Sequence, residues 1–429
     1  MLISRLPAKF TPPKHSRMIL LYDLGIRLYY LIIAVVSPFN KKAKLWITGR
    51  QKWHSKLVAA VEKDAPIAWF HCASLGEFEQ GRPLIEALKQ QKPEYKILLT
   101  FFSPSGYEVR KNYQGADYVF YLPLDTRRNA RRLIKAINPK VVVFVKYEFW
   151  YHILKAIHRA NIPIYIVSAI FRPDQLFFKW YGGLYRRILT FFEHIFVQSS
   201  DSEALLNGIG VTNVTVAGDT RFDRVADNAK AAKVIPMIEA FAKDSKVLVG
   251  GSTWPKDEEL IAGYFTSQRP SLKLIIAPHE IHNDQVESLI AKIGLPAVRF
   301  TQYTNQDLSK AQVLVIDTIG ILSSVYRYGD IAYIGGGFGA GIHNTLEAAV
   351  FGIPVIFGPN HHKFREAVGL KSCGGGISIS SQEELNLSLN ALLTSAQELE
   401  NAGKAAYSYI YSSLGATSII LKRIVLKLP

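Results

Sequence analysis

The chain has 429 residues, 48% of them hydrophobic and 20% charged, enough apolar material for two domains and too much for a disordered chain. Its two cysteines, Cys72 and Cys373, match no metal-ligand spacing and exclude a disulfide framework, which fits a reducing compartment. The net charge of +16 is uneven: residues 1–60 carry eleven Lys or Arg against one acid, Asp23, or +10, and the other 369 residues carry +6.

The early basic residues bracket an apolar segment, Ile19 to Phe39, whose 21 residues reach the roughly 20 needed to cross a bilayer. Asp23 and Arg27 are costly at the bilayer centre, and their spacing of four lets them pair on one helix face. A nucleic-acid binder spreads its basic residues along a groove-facing surface. A basic bracket around an apolar helix points instead to an anionic membrane surface. Residues 1–50 are therefore expected to be a membrane-anchor helix with basic flanks, either crossing the bilayer or lying in its interface, and no nucleic-acid partner is expected.

After a basic connector, short β-prone apolar runs alternate with helix-length segments. The first half offers strands at 67–72, 96–101, 118–122, 141–145, 164–167, 194–198 and 214–217. The second offers 246–249, 273–277, 312–316, 331–334, 354–357 and 376–379. Continuous apolar runs of this kind suit parallel sheets covered by helices on both faces. Two doubly wound α/β domains are expected, over residues 51–225 and 226–404, with a C-terminal helical tail, 405–429, packing back on the first. In such sheets ligands bind beyond the carboxyl ends of the strands, so polar residues just after a strand rank highest.

Four blocks meet that rule. In Ser74-Leu75-Gly76-Glu77 the chain turns from a strand into a helix. Gly76 is expected to permit the turn or a ligand's close approach. Glu77 in the first helical turn is expected to be held ionised by the helix dipole, as a general base or merely as a stabiliser of the helix start. His71 reads as a core histidine or a catalytic one. Lys146-Tyr147-Glu148-Phe149-Trp150 follows another strand. Glu148 either divides the roles of base and charge stabiliser with Glu77 or pairs with Lys146 or an arginine of 127–132, while the aromatic residues are expected to pack. In the Gly218–Asp223 block, Arg221 grips a phosphate or a carboxylate, or pairs with Asp219 or Asp223.

The fourth block, residues 335–359, runs from a strand through five glycines, Gly337 among them, and His343 to a helix expected to open at Asn344 with Glu347 at its third position. Its exposed amides would form a phosphate site, or the glycines are a structural turn. Weaker strand-end signals are Ser252 and Thr253, Pro278 and His279, and Asp317 to Gly320. No metal-binding cluster, Walker lysine or Ser–His–Asp spacing is present.

Together these residues resemble the 3-deoxy-D-manno-octulosonic acid (Kdo) transferase family. The likeness runs from the N-terminal helix nearly to the C-terminus. It rests on Ser74-Leu75-Gly76-Glu77, Glu148-Phe149-Trp150, Arg221-Phe222-Asp223, Asp317-Thr318-Ile319-Gly320, His343-Asn344-Thr345-Leu346-Glu347, Gly352-Ile353-Pro354-Val355 and Gly358-Pro359. The resemblance implies a GT-B enzyme of two Rossmann-like domains facing a crevice, without metal or other cofactor. It would transfer Kdo with inversion from CMP-Kdo to the lipid A precursor at the cytoplasmic face of the inner membrane. It assigns Glu77 as base and Glu148 with Arg221 as transition-state stabilisers. CMP is expected against Pro278, His279, Ile319, Gly320, Ile321 and Asn344 to Glu347, with Ser74, Gly76, Ser252, Thr253, Asp317, Thr318, Gly337 and His343 as further contacts.

The chain departs from the family pattern at four places. Tyr151-His152 replaces Pro-Asn, Arg221 replaces lysine, His279 replaces arginine and Ile321 replaces glutamate. Two other readings stand beside this one: another GT-B sugar transferase or nucleotide-sugar epimerase, and a non-catalytic basic membrane-binding or nucleic-acid-binding protein.

Overall fold

A computed structural model describes residues 15–303 and 305–428. Arg5, Lys9 and Lys14 of the basic flank lie outside these residues. The chain forms two units, one running to Arg221 and taking in Gly415 onward, the other Phe222–Leu414.

The first unit is built on seven parallel strands: β1 (Ile67–Cys72), β2 (Lys96–Phe101), β3 (Tyr118–Tyr121), β4 (Val141–Val145), β5 (Ile164–Ala169), β6 (His194–Val197) and β7 (Val214–Val216), in the order β3-β2-β1-β4-β5-β6-β7. Side chains alternate between the sheet's faces, so Trp69 packs into one apolar layer and Ala68, Phe70 and Cys72 into the other. The order reverses between β1 and β4, which makes their carboxyl ends the expected ligand position.

The second unit repeats the plan with β8 (Val247–Thr253), β9 (Lys273–Pro278), β10 (Ala297–Arg299), β11 (Val313–Val315), β12 (Ile331–Ile334), β13 (Val355–Phe357) and β14 (Gly376–Ser378), in the order β10-β11-β9-β8-β12-β13-β14. Every pairing is parallel, and here the reversal falls between β8 and β12. All thirteen strands read from the sequence form. β10, three residues on the sheet edge, carries too short an apolar signal to be read.

The C-terminal tail divides. Helix Ala396–Ser412 stays with the second unit, and only helix Ala416–Val425 joins the first, so the expected change at 405 falls ten residues later. Ile420, Leu421 and Ile424 bury against the layer holding Phe78, Leu84 and Leu88, each contributing about 1.5–3 kcal/mol. The Leu75–Gln91 helix lies close to β1 and β4 because Gly81 has no side chain. A Cβ there would stand 3.1 Å from both Cys72 Sγ and a Val145 methyl.

The N-terminal helix, His15–Val36, contains a segment, Met18–Val36, long and apolar enough to cross a membrane. Asp23 does not pair with Arg27 as expected. It meets His152 Nε2 at 2.5 Å, and Tyr22 donates to Asp125 at 2.5 Å while packing edge-on against Tyr151. Tyr151 and His152 stand where the family pattern has Pro-Asn, so that departure is where the first unit receives the helix.

Candidate active site

In the first unit the two carboxylates flank the strand reversal. β1 ends at Cys72 and the helix carrying Glu77 starts at Leu75; β4 ends at Val145, and Lys146, in the left-handed region (φ 61°), swings the chain so that Glu148 follows. Gly76 does not make the turn. It lies within the helix, and the reversal is made by Ala73 and by Ser74, the extended N-cap residue. Open space surrounds the Cβ position of Gly76.

Glu77 accepts the Ala73 amide. Contrary to the expectation of a carboxylate held firmly ionised, burial and then the neighbouring Glu148 charge push its pKa up to about 7. The amides of Ala73 and Ser74 and the Lys146 cation oppose that rise without cancelling it. Glu148 is buried and makes no ion pair with an arginine of 127–132 among the described residues. It accepts from Trp150 Nε1 at 2.6 Å and contacts His71 Nε2 at 3.0 Å. His71 is fully buried, its Nδ1 lying 2.9 Å from Thr100 Oγ1, so it fastens Glu148 to β2. Trp150 therefore binds a carboxylate as well as packing, its ring 4.7 Å from that of Phe102 and tilted by 30°.

Arg221 takes the internal pairing. Its Nε and Nη2 donate to Asp219 Oδ2 at 2.9 and 2.8 Å. Asp219 also accepts from Gln80 Nε2 at 2.9 Å, and Thr220 donates to the Gln80 carbonyl at 2.6 Å. Burial opposes its charge, but Arg221 and Gln80 hold the Asp219 carboxyl below the usual range. The helix bearing Glu77 and the start of the Thr220–Lys230 helix bearing Arg221 are thus joined through Gln80, a residue the sequence did not single out.

In the second unit the strand-end residues separate into two groups. His279 stacks on both Trp254 (4.5 Å between ring centroids) and His343 (4.6 Å), which lie side by side with Trp254 Nε1 donating to His343 Nε2 at 3.0 Å. Burial and then His279 lower the His343 pKa. These rings follow β8, β9 and β12, and Ile319 is 84% exposed after β11, with Gly320 left-handed beside it. Trp254, one residue beyond Thr253, was missed, although the strand-end rule applies to it. Asp257 was missed too; it is buried and accepts the amides of Trp254 and Gly336 and the Tyr333 hydroxyl, fixing the glycine loop.

The other group makes contacts within the unit. Asp317 is taken by Arg299 Nε at 2.9 Å and the Thr301 hydroxyl at 2.6 Å, and Thr253 donates to Glu258 at 3.3 Å. Leu346 is wholly buried in the core. Gly337 packs on Gly358, whose Cα would be 2.6 Å from an added Cβ. The helix expected to open at Asn344 is the single turn Leu346–Ala349, capped by Thr345. Asn344 Oδ1 accepts the Leu346 amide at 3.2 Å and its Nδ2 donates to Glu347 Oε1 at 2.9 Å, so the pair is spent partly on itself. So short a helix lends little dipole to a phosphate. Pro278 ends β9, Thr318 and Ile321 are half-buried, and Ser252 is left-handed at φ 52°. Among the described residues no group of three His, Cys, Asp or Glu is placed to hold a metal ion.

Two parallel doubly wound units with their polar groups at the strand reversals define an α/β protein of the GT-B type. The fold is similar to that of a UDP-GlcNAc 2-epimerase from Neisseria meningitidis (TM-score 0.61, 16% identity, 84% of this chain and 100% of that one). It is also similar to MurG of Acinetobacter baumannii (TM-score 0.53, 14% identity, 84% and 99%). Residues 50–224 match the family model described as 3-deoxy-D-manno-octulosonic-acid transferase. Curated relatives named 3-deoxy-D-manno-octulosonic acid transferase include those of Aquifex aeolicus (29% identical, 77% of this chain and 87% of the relative) and Haemophilus influenzae (26%, 82% and 85%). The chain thus resembles the Kdo transferases, through the family model over residues 50–224 and through relatives named so along most of its length.

Proposed function

We propose that the protein transfers Kdo from CMP-Kdo to the lipid A precursor lipid IVA, with inversion, at the cytoplasmic face of the inner membrane during lipopolysaccharide biosynthesis. The observation that carries this reading is Glu77: a carboxyl beside the β1/β4 reversal with a pKa lifted to about 7, where a base accepts a proton most effectively at neutral pH. The acceptor hydroxyl gives its proton to Glu77 as its oxygen bonds to the anomeric carbon. The bond from that carbon to the CMP phosphate oxygen breaks, and CMP leaves with the electron pair. Glu148, fastened by His71 and Trp150, and Arg221, aimed by Asp219, stabilise the charges that develop.

CMP is assigned to Pro278, His279, Ile319 to Ile321 and Asn344 to Glu347. At His279, where the family pattern has a fixed cation, an imidazole stacked on Trp254 and His343 takes its place. The deciding experiment is incubation with CMP-Kdo and lipid IVA, followed by mass spectrometry of the lipid. A mass gain of one or more Kdo units supports the reading. Turnover of UDP-sugars with no gain from CMP-Kdo overturns it in favour of another GT-B activity.

A further inference from the structure

The N-terminal helix has two opposed faces. At 3.6 residues per turn, the exposed Leu20, Leu21, Leu24, Leu28, Leu31 and Val35 fall within an arc of about 100°. Ile19, Tyr22, Asp23, Ile26, Tyr29 and Ile33 fall on the opposite arc. That second face lies side-on against the first unit: Tyr22 and Asp23 are bonded to Asp125 and His152, and about two turns later Tyr29 packs 5.8 Å from Trp46 and 6.0 Å from Phe102. A helix crossing the bilayer would carry the Asp23–His152 pair and the buried Asp125 into hydrocarbon, where charged groups are costly. The docked helix instead presents one apolar stripe.

Along the edge of that stripe runs a groove of about 960 Å³ between this helix and the Arg127–Ile137 helix. Five arginines line it: Arg27, Arg127, Arg128, Arg131 and Arg132. Its two carboxylates are already engaged, Asp23 with His152, and Asp125 with the Tyr22 hydroxyl and the amides of His152 and Ile153. None of the five arginines makes an ion pair within the described residues. Arg127 and Arg128 also occupy a first helical turn, where the helix dipole disfavours cations, so their placement works against local stability. Guanidinium groups suit phosphate oxygens, which they bind bidentately.

We propose that this groove binds the phosphate head groups of anionic phospholipids, while the leucine stripe beds in the acyl layer and the helix lies in the membrane plane. Apolar stripe and cationic edge together fit a molecule that is apolar at one end and anionic at the other. The proposal rests on the membrane location proposed above but not on the donor or the acceptor.

The test uses the full chain, R127Q/R131Q and L24S/L28S, with vesicles of phosphatidylcholine alone or containing phosphatidylglycerol. Each arginine near an anionic surface is worth roughly fivefold in binding, so R127Q/R131Q should lose about 30-fold of the phosphatidylglycerol-dependent affinity. It should keep its affinity for neutral vesicles, whereas L24S/L28S should lose affinity for both. Transfer to detergent-dispersed acceptor should keep a wild-type KM in R127Q/R131Q, which separates this proposal from the transferase reading itself. Unchanged vesicle affinity in R127Q/R131Q would overturn the proposal. So would release from vesicles by millimolar inorganic phosphate at fixed ionic strength, which would mark a free-phosphate site. A KM raised only for the dispersed acceptor would reassign the groove to the acceptor's phosphates, and helix ends accessible from opposite sides of the membrane would show a crossing helix.

Discussion

Glu77→Gln separates a base from a helix-start stabiliser in two independent readouts. Gln retains an oxygen for the Ala73 amide but cannot take a proton from the acceptor. Turnover at saturating donor and acceptor should fall about 10²–10⁴-fold. The wild-type rate should fall about tenfold per pH unit below the Glu77 value of about 7, and this acid limb should vanish in the variant. Stability supplies the second readout. Because folding raises the pKa from 4.5 to about 7, the native state binds more protons than the unfolded state between those values. Wild-type stability therefore falls as pH rises through that window, by up to about 3 kcal/mol. The neutral Gln escapes that loss, so the variant should be more stable than wild type above pH 7 and lose the advantage below 4.5. Urea unfolding across pH measures it, beside initial rates from CMP release. A fully active Glu77→Gln enzyme, or one that keeps the acid limb, would refute the assignment.

Other outcomes follow from the same contacts. Glu148→Gln should slow turnover and move the acid limb to lower pH, because the Glu148 charge is the second cause of the raised Glu77 value; a limb left in place would show the two carboxyls uncoupled. Asn344→Ala and Glu347→Ala should each weaken CMP binding by roughly 1–3 kcal/mol, and the double variant should lose less than the sum because the two side chains bond each other. Calorimetric titration that finds strict additivity, or no loss, would move the donor site elsewhere. Activity should survive excess chelator; complete loss, restored by magnesium, would call for a metal in the mechanism.

The fold was legible because its strands are continuous apolar runs, such as Val141–Val145, that suit only a sheet covered on both faces. The edge strand Ala297–Arg299 is covered less completely and left no such mark. Within the site, the strand-end rule found Glu77, Glu148 and His279 but not their partners. His71 meets Glu148 across 77 positions, and Gln80 meets Asp219 across 139; no local pattern encodes either contact. Asn344 and Glu347 misled for the opposite reason. Their spacing has the form of a helix start, yet the side chains satisfy each other and the helix lasts one turn.

What distinguishes Glu77 is how its carboxyl is compensated. Asp219 and Asp317 are each held by an arginine with further donors, and each sits below the usual carboxylate range despite its burial; they act as clamps. Burial also raises Asp125 and Glu258. Asp125, however, is 1% exposed and spends its oxygens on Tyr22 and two amides, and Glu258 accepts from Thr253. Glu77 is half-buried beside the open space at Gly76 and faces a second carboxyl, with two backbone amides and Lys146 too weak together to offset both burial and Glu148. A carboxyl left under-compensated where a ligand can reach it gains nothing for the fold, and its energy is recovered only when it takes a proton. The acceptor hydroxyl supplies that proton in the reaction proposed here.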